Sequence, residues 1–187
     1  LLGGAAPAPA AAMNAEPAKF KVDGVHSSMV YRITHLGVAP FYGRFDKISG
    51  EFNWDKDNPG SSSFNITIDT ESVNSNNGAR DKHLKSGDFF NAKEFPEITF
   101  RSTGLTKAGD AWEVSGDLTM VGKTKPVKAT LKFVGQKDVG AQMGGVKAGF
   151  DITFTVKRSD FGMSYGLDNG ALGDEVQVML GLEGAKQ

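Results

Sequence analysis

Three histidines, His26, His35 and His83, and no cysteine are all the imidazole and thiol chemistry available in 187 residues. No two of the histidines stand at i, i+4, and without thiolates the spacing that marks a zinc centre is absent. The chain also lacks the G-x-S-x-G turn of a serine hydrolase, the phosphate-binding P-loop and the dinucleotide-binding glycine fingerprint. A Ser/His/Asp triad needs no closeness in sequence, so His35 and His83 stay open as bases, with nothing beside them to support an enzyme. The reading is therefore a non-enzymatic protein with no metal and no cofactor. The polar groups left over are His35, Arg80, Asp81 and Arg158, suited to hydrogen-bonding a quinone, amide or pyrophosphate. Each also fits the plainer role of a solvated charge or a strand-end ion pair.

What must position these groups is a set of β-strands. Phe150, Ile152, Phe154 and Val156 alternate with Asp151, Thr153 and Thr155, the period-two pattern of a strand with one buried face. The same comb returns at Phe64, Ile66 and Ile68, at Trp112 to Met120, at Val127 to Phe133 and at Val176 to Leu182. Turn signals punctuate the runs: Asn58-Pro59-Gly60, Asn77-Gly78, Gly109-Asp110, Gly122-Lys123, Gly144-Gly145 and Asn169-Gly170. Strands apolar on one side only must close into a barrel or pair as a sandwich. A hairpin is expected around a two-residue loop at Gly122-Lys123, of type II′ because glycine comes first. Ala79 to Ser86, without a β-branched residue, reads as a two-turn helix docked through Leu84, Phe89 and Phe90, either capping one mouth or plugging that end.

The charges nearly cancel, 21 basic against 22 acidic, which removes the basic field a nucleic-acid partner needs. No run approaches the roughly 20 apolar residues of a spanning helix, and Lys and Asp on the outer strand faces do not suit a membrane barrel. Residues 1–15, LLGGAAPAPAAAMNA, are small, apolar and uncharged, the composition of a signal-peptide remnant or a linker. One barrel domain is expected over residues 16–187, with export to a periplasm. Exposed strand edges or an aromatic mouth would also support a homodimer.

A barrel of eight strands is either filled by its own side chains or holds one small ligand. Gly50 and Gly116 fall on the inward parity of their strands. At either position alone, glycine more simply relieves crowding where barrel strands bend, yet the missing side chains favour a barrel that holds a guest over a filled one. The expected lining is Phe41, Phe45, Phe52, Leu84, Phe89, Phe90 and Phe100, with Leu118, Met120, Leu131, Phe154, Val156 and Met163. An interior so apolar suits a hydrocarbon chain, each buried methylene contributing about 0.8 kcal/mol. The alternative is a filled barrel acting through its surface as a stress or interaction protein.

Six segments carry a resemblance: DGVHS (Asp23–Ser27), HLG (His35–Gly37), RDKHLKSGDFF (Arg80–Phe90), FPEITFRS (Phe95–Ser102), GDLTMVGKTKPV (Gly116–Val127) and RSDFGM (Arg158–Met163). In this order, across about Phe20 to Glu183, the chain resembles the YceI-like family of periplasmic polyisoprenoid-binding proteins. The resemblance implies an all-β, extended eight-stranded antiparallel barrel, lipocalin-like, with a short helical cap. It further implies an isoprenoid or similar long-chain lipid held inside. The chain departs from the family at Lys123, where the turn usually carries an apolar residue. It is also unusually aromatic at Ala39-Pro40-Phe41-Tyr42.

Overall fold

A computed structural model describes residues 16–187, so the signal-peptide or linker reading of residues 1–15 lies outside the described residues. The chain runs β1 (Ala18–Val22), β2 (Ser28–His35), β3 (Ala39–Phe45), β4 (Ile48–Trp54), β5 (Ser63–Asp69) and β6 (Val73–Asn74), then a helix, α1 (Gly78–Leu84). It continues as β7 (Glu97–Ala108), β8 (Ala111–Met120), β9 (Lys123–Asp138), β10 (Val146–Lys157) and β11 (Leu172–Lys186). Every pairing is antiparallel. β11 meets β1 at Phe20↔Lys186 and β2 at Val176↔Ile33, while β2 faces β3 and β1 faces β4. Thus β1 with β2, β3 with β4, and β5 with β6 are three long strands, each interrupted once. With β7 to β11 they make eight positions of an up-and-down ring that closes on itself, as a one-sided comb requires. No helix among the described residues is long and apolar enough to cross a membrane.

The two ends of the ring differ. At one end Phe20 stacks on Phe52 at 5.0 Å and Phe52 on Phe64 at 5.6 Å. Phe150 meets the edges of Phe52, Phe64 and Trp54 within 5.3 Å. This packing closes the barrel floor, each aromatic pair contributing about 0.5–1.5 kcal/mol beyond area burial. Phe52, expected in the cavity lining, belongs to this floor. At the other end residues 75–96 leave the ring between β6 and β7 and carry α1. The Asn77 side chain caps that helix by accepting from Arg80 N at 3.0 Å. Helix formation thus begins one residue before the predicted Ala79 and stops two residues before the predicted Ser86.

The inward glycines are not gaps. A Cβ at Gly116 would lie 2.4 Å from the Phe100 ring, and one at Gly50 would lie 2.1 Å from the Asn65 carbonyl. Gly50 also has φ +131°, a region L side chains avoid. Both mark close approach of the neighbouring strand, β7 at Gly116 and β5 at Gly50, which corrects the reading of space for a ligand at these two positions. The β8–β9 loop is Val121-Gly122, with φ +50° and +68°, flanked by Met120↔Lys123. Two successive positive φ values make it I′-like, one residue earlier than the predicted II′ loop. The register slides by two residues, so the inward face is unchanged, and Thr119 Oγ1 lies 2.8 Å from Thr124 Oγ1 across the hairpin.

The interruption between β1 and β2 is built by Asp23. Its Oδ1 accepts from Val25 N and His26 N, and its Oδ2 meets His26 Nδ1 and Lys147 Nζ, both at 2.9 Å. Ser27 Oγ then bonds the Glu183 backbone on β11, fixing where β2 begins. The His26 and Lys147 hydrogen bonds hold the Asp23 carboxyl well below the usual carboxylate range.

Two outcomes follow. Gly50→Ala should lower stability by about 2 kcal/mol or more, read as a shift of the urea midpoint. Asp23 should contribute stability that is full above its ordinary unfolded pKa of about 3.9 and fades as acid takes the pH toward its depressed folded value. Asp23→Asn should remove that part of the acid dependence of the melting temperature.

Candidate functional site

Between the aromatic floor and the helical end lies an apolar sleeve of about 560 Å³. Met29, Tyr31 and Ile33 of β2 face Phe41 and Phe45 of β3, and Ile98, Leu118, Met120, Phe154 and Val156 complete much of the wall. Below it a second space of about 50 Å³ reaches Phe64, Ile66, Leu131 and Ile152, sharing Met29, Ile98, Leu118, Phe154 and Val178 with the upper one. Along β8, Val114 to Met120 covers six residues of rise, about 20 Å of sleeve wall.

Leu84, Phe89 and Phe90 from the excursion, and Met163 from the β10–β11 connection, cover the mouth. The excursion is pinned by hydrogen bonds to the ring. Thr70 Oγ1 donates to Phe95 O at 2.7 Å, and Thr70 N donates to Pro96 O at 2.9 Å. Ser75 N and Oγ both donate to Asp81 Oδ1. Arg80 returns two donors to Ser75, Nε to Oγ at 2.8 Å and Nη2 to the carbonyl at 2.7 Å. Its guanidinium also lies 4.3 Å over the Phe41 ring. His83 Nε2 is 2.8 Å from Asp88, and the ring packs edge-on against Phe89 and Tyr165.

The four predicted polar residues separate into two groups. His35 and Arg80 border the sleeve. Asp81 does not, its carboxylate being turned to Ser75. Arg158 borders the cavity but is only 2% exposed, and its Nε, Nη1 and Nη2 donate to the Gly173, Met163 and Leu172 carbonyls at 2.8, 2.9 and 3.2 Å. Arg158 therefore ties the β10–β11 connection to the wall, each of its three nitrogens already donating to a backbone carbonyl. Burial lowers its pKa, opposed by the charge of Asp174. Burial would raise Asp174, yet hydrogen bonds from Ser159 and the Arg158 charge bring it below the ordinary carboxylate value.

Apart from Phe52, the predicted apolar residues border the upper or lower space. Sequence reasoning missed Met29, Tyr31 and Ile33, although their alternation in β2 carried the signal. Tyr31 is the notable one. Its ring lies across Gly43, where a Cβ would come within 2.2 Å, and its buried hydroxyl has no partner among the described residues. Burial, with Asp81 adding and Arg80 opposing, pushes the phenol up to about 12, so it stays protonated as a donor.

Among the described residues one cluster has the composition of a metal site: Asp23, His26 and Glu183. Lys147 Nζ stands 2.9 Å from Asp23 and 3.6 Å from Glu183, so an ammonium already serves these carboxylates.

A model of the YceI-like domain matches residues 20–184. A UPF0312 protein of Pseudomonas aeruginosa is 42% identical over 172 residues, covering 91% of this chain and 88% of the relative. The protein YceI of Shigella flexneri is 40% identical over 176 residues, covering 93% and 90%. The crystal structure of Burkholderia cenocepacia BcnA superposes with TM-score 0.78 at 27% identity, covering 87% of this chain and 98% of that one. A Saccharophagus degradans domain, described as polyisoprenoid binding and implicated in plant cell wall breakdown, has the same fold. Its TM-score is 0.66 at 15% identity, covering 91% and 99%.

Replacing Arg158 by Met leaves three carbonyls without their charged donor. It should cost about 3–5 kcal/mol in urea unfolding, as the loss of one partner from a buried charged network does. Arg158→Lys should recover only part, because one ammonium cannot reproduce the fork.

Proposed function

The chain belongs to the YceI-like domain family, and from that premise we propose that it is a non-enzymatic carrier or sequestering protein for a polyisoprenoid or similar long-chain lipid. The observation that carries the proposal is the sleeve itself, an apolar space of about 560 Å³ adjoining a smaller one of about 50 Å³, between the aromatic floor and the α1 excursion. Magnitudes select the ligand. At about 0.8 kcal/mol per methylene, ten methylenes yield about 8 kcal/mol, within the range association alone costs. Retention therefore calls for a longer chain. The head-group end belongs at the mouth beside His35 and Arg80, where a quinone carbonyl or an amide finds donors. The binding named for the S. degradans domain is consistent with this ligand class.

The filled-barrel alternative is disfavoured by the sleeve volume. A periplasmic location is part of the proposal, supported by family membership and by the composition of residues 1–15.

Native mass spectrometry of protein purified from its own host should show a bound lipid, and the emptied protein should take up a prenyl alcohol saturably. Leu118→Trp, which places an indole across the junction of the two spaces, should weaken that uptake by about tenfold or more while the far-ultraviolet circular dichroism is kept. A host-purified protein without lipid and without saturable uptake would overturn the proposal.

A further inference from the structure

The wall of the ring is not paired over its whole height. The β9–β10 ladder stops at Thr153↔Thr130. Continued in the same register it would join Phe154 to Ala129 and reach Pro126, which has no amide hydrogen to give. Instead Phe154–Lys157 pairs only with β11, and Lys123–Ala129 only with β8. Higher up, the Arg158–Phe161 turn fills the split, with Phe161 buried there and Lys123 Nζ lying close to Gly162. At its foot no such filler is present among the described residues.

Both sides of that foot border open space. From inside, the lower part of the sleeve touches Val127 and Ala129 on β9 and Ile152 and Phe154 on β10. From outside, a crevice of about 280 Å³ touches the same Ala129 and Phe154, with Thr130, Thr153, Ala108, Ala111 and Trp112 around it. Ala129 and Phe154 thus line both spaces, and no ladder pairing joins them across the seam. The crevice surface is mixed: Lys128 and Glu113 pair at 2.7 Å on its rim, Lys107 Nζ lies 4.8 Å over the Trp112 ring, and Ala108, Ala111 and the threonines supply small side chains between them.

A chain longer than the sleeve meets a sealed floor. It must then double back, hang out of the mouth or leave through the wall. We propose that the unpaired β9–β10 seam is a side exit, through which the far end of a long prenyl or acyl chain passes Phe154 and lies in the outer crevice. This rests on the carrier reading and adds to it a rule for chain length. Chains that end within the sleeve ignore the seam, and longer ones depend on it. Ala129 is the position where a small side chain keeps the passage narrow but unblocked, and Phe154 is the gate.

The test compares farnesol, which ends within the sleeve, with the much longer solanesol, each titrated into emptied full-chain protein. Thr130→Trp, at an exposed position that tolerates an aromatic side chain in a strand, closes the seam from the outer crevice without adding bulk to the sleeve wall, and Thr153→Trp, on the facing strand, does the same should the first variant fail to fold. Each variant should weaken solanesol binding by about tenfold or more and change farnesol binding by less than about threefold. Equal effects on the two alcohols, or none on either with both still bound, would overturn the side exit and leave the carrier reading standing. Failure of the wild-type protein to bind either alcohol would overturn the carrier reading, and the exit with it.

Discussion

Closure of the ring is the constraint from which the other features follow. Once eight strand positions close, the backbone polar groups are paired around the wall except along the upper β9–β10 seam, and alternate side chains have nowhere to point but inward. The interior is then decided level by level by the size of those side chains. Phe20, Phe52, Trp54, Phe64 and Phe150 meet on one level and exclude everything else. Further along, Ile, Leu, Val and Met face one another across a space they do not fill. The same comb thus yields a solid floor and a hollow sleeve in one barrel.

The breaks in the ring are what the conspicuous motifs serve. Asp23 to Ser27 ends one strand and starts the next while anchoring both to β11. Ser75, Arg80 and Asp81 bind the excursion to itself where it leaves β6. Arg158 gathers three carbonyls where β10 gives way to the last crossing. These polar groups stand at joints because a joint exposes backbone groups that the ladder no longer satisfies, and a buried unsatisfied group costs about 1–3 kcal/mol. Their chemistry is mostly structural, and the sleeve that they frame is left almost wholly apolar.

The strands were legible because period two survives in any stretch with one wet face. Val176 to Leu182 and Phe150 to Val156 were assigned from alternation alone, and the short helix was recognised by its lack of β-branched residues. Parity names a face but not a height along the axis, which is why Phe52 looked like lining and turned out to be floor. Parity also cannot say what covers a missing side chain: the Phe100 ring lies over Gly116. The structural roles of Asp81 and Arg158 were not legible, because their partners are a serine six residues away and backbone carbonyls, neither of which composition reveals. Tyr31 escaped notice since its place over Gly43 depends on a cross-strand pair known only once the register is known.

The central claim is that the lumen between the aromatic floor and the α1 excursion holds a chain. A crystal structure of the protein loaded with a long-chain lipid brominated along its chain tests this directly. Anomalous peaks should lie inside the ring, beside Leu118, Met29 and Val178, with the wall side chains in place around them. Peaks confined to the outer surface, with Leu118, Met29 and Phe154 collapsed across an empty lumen, would contradict it.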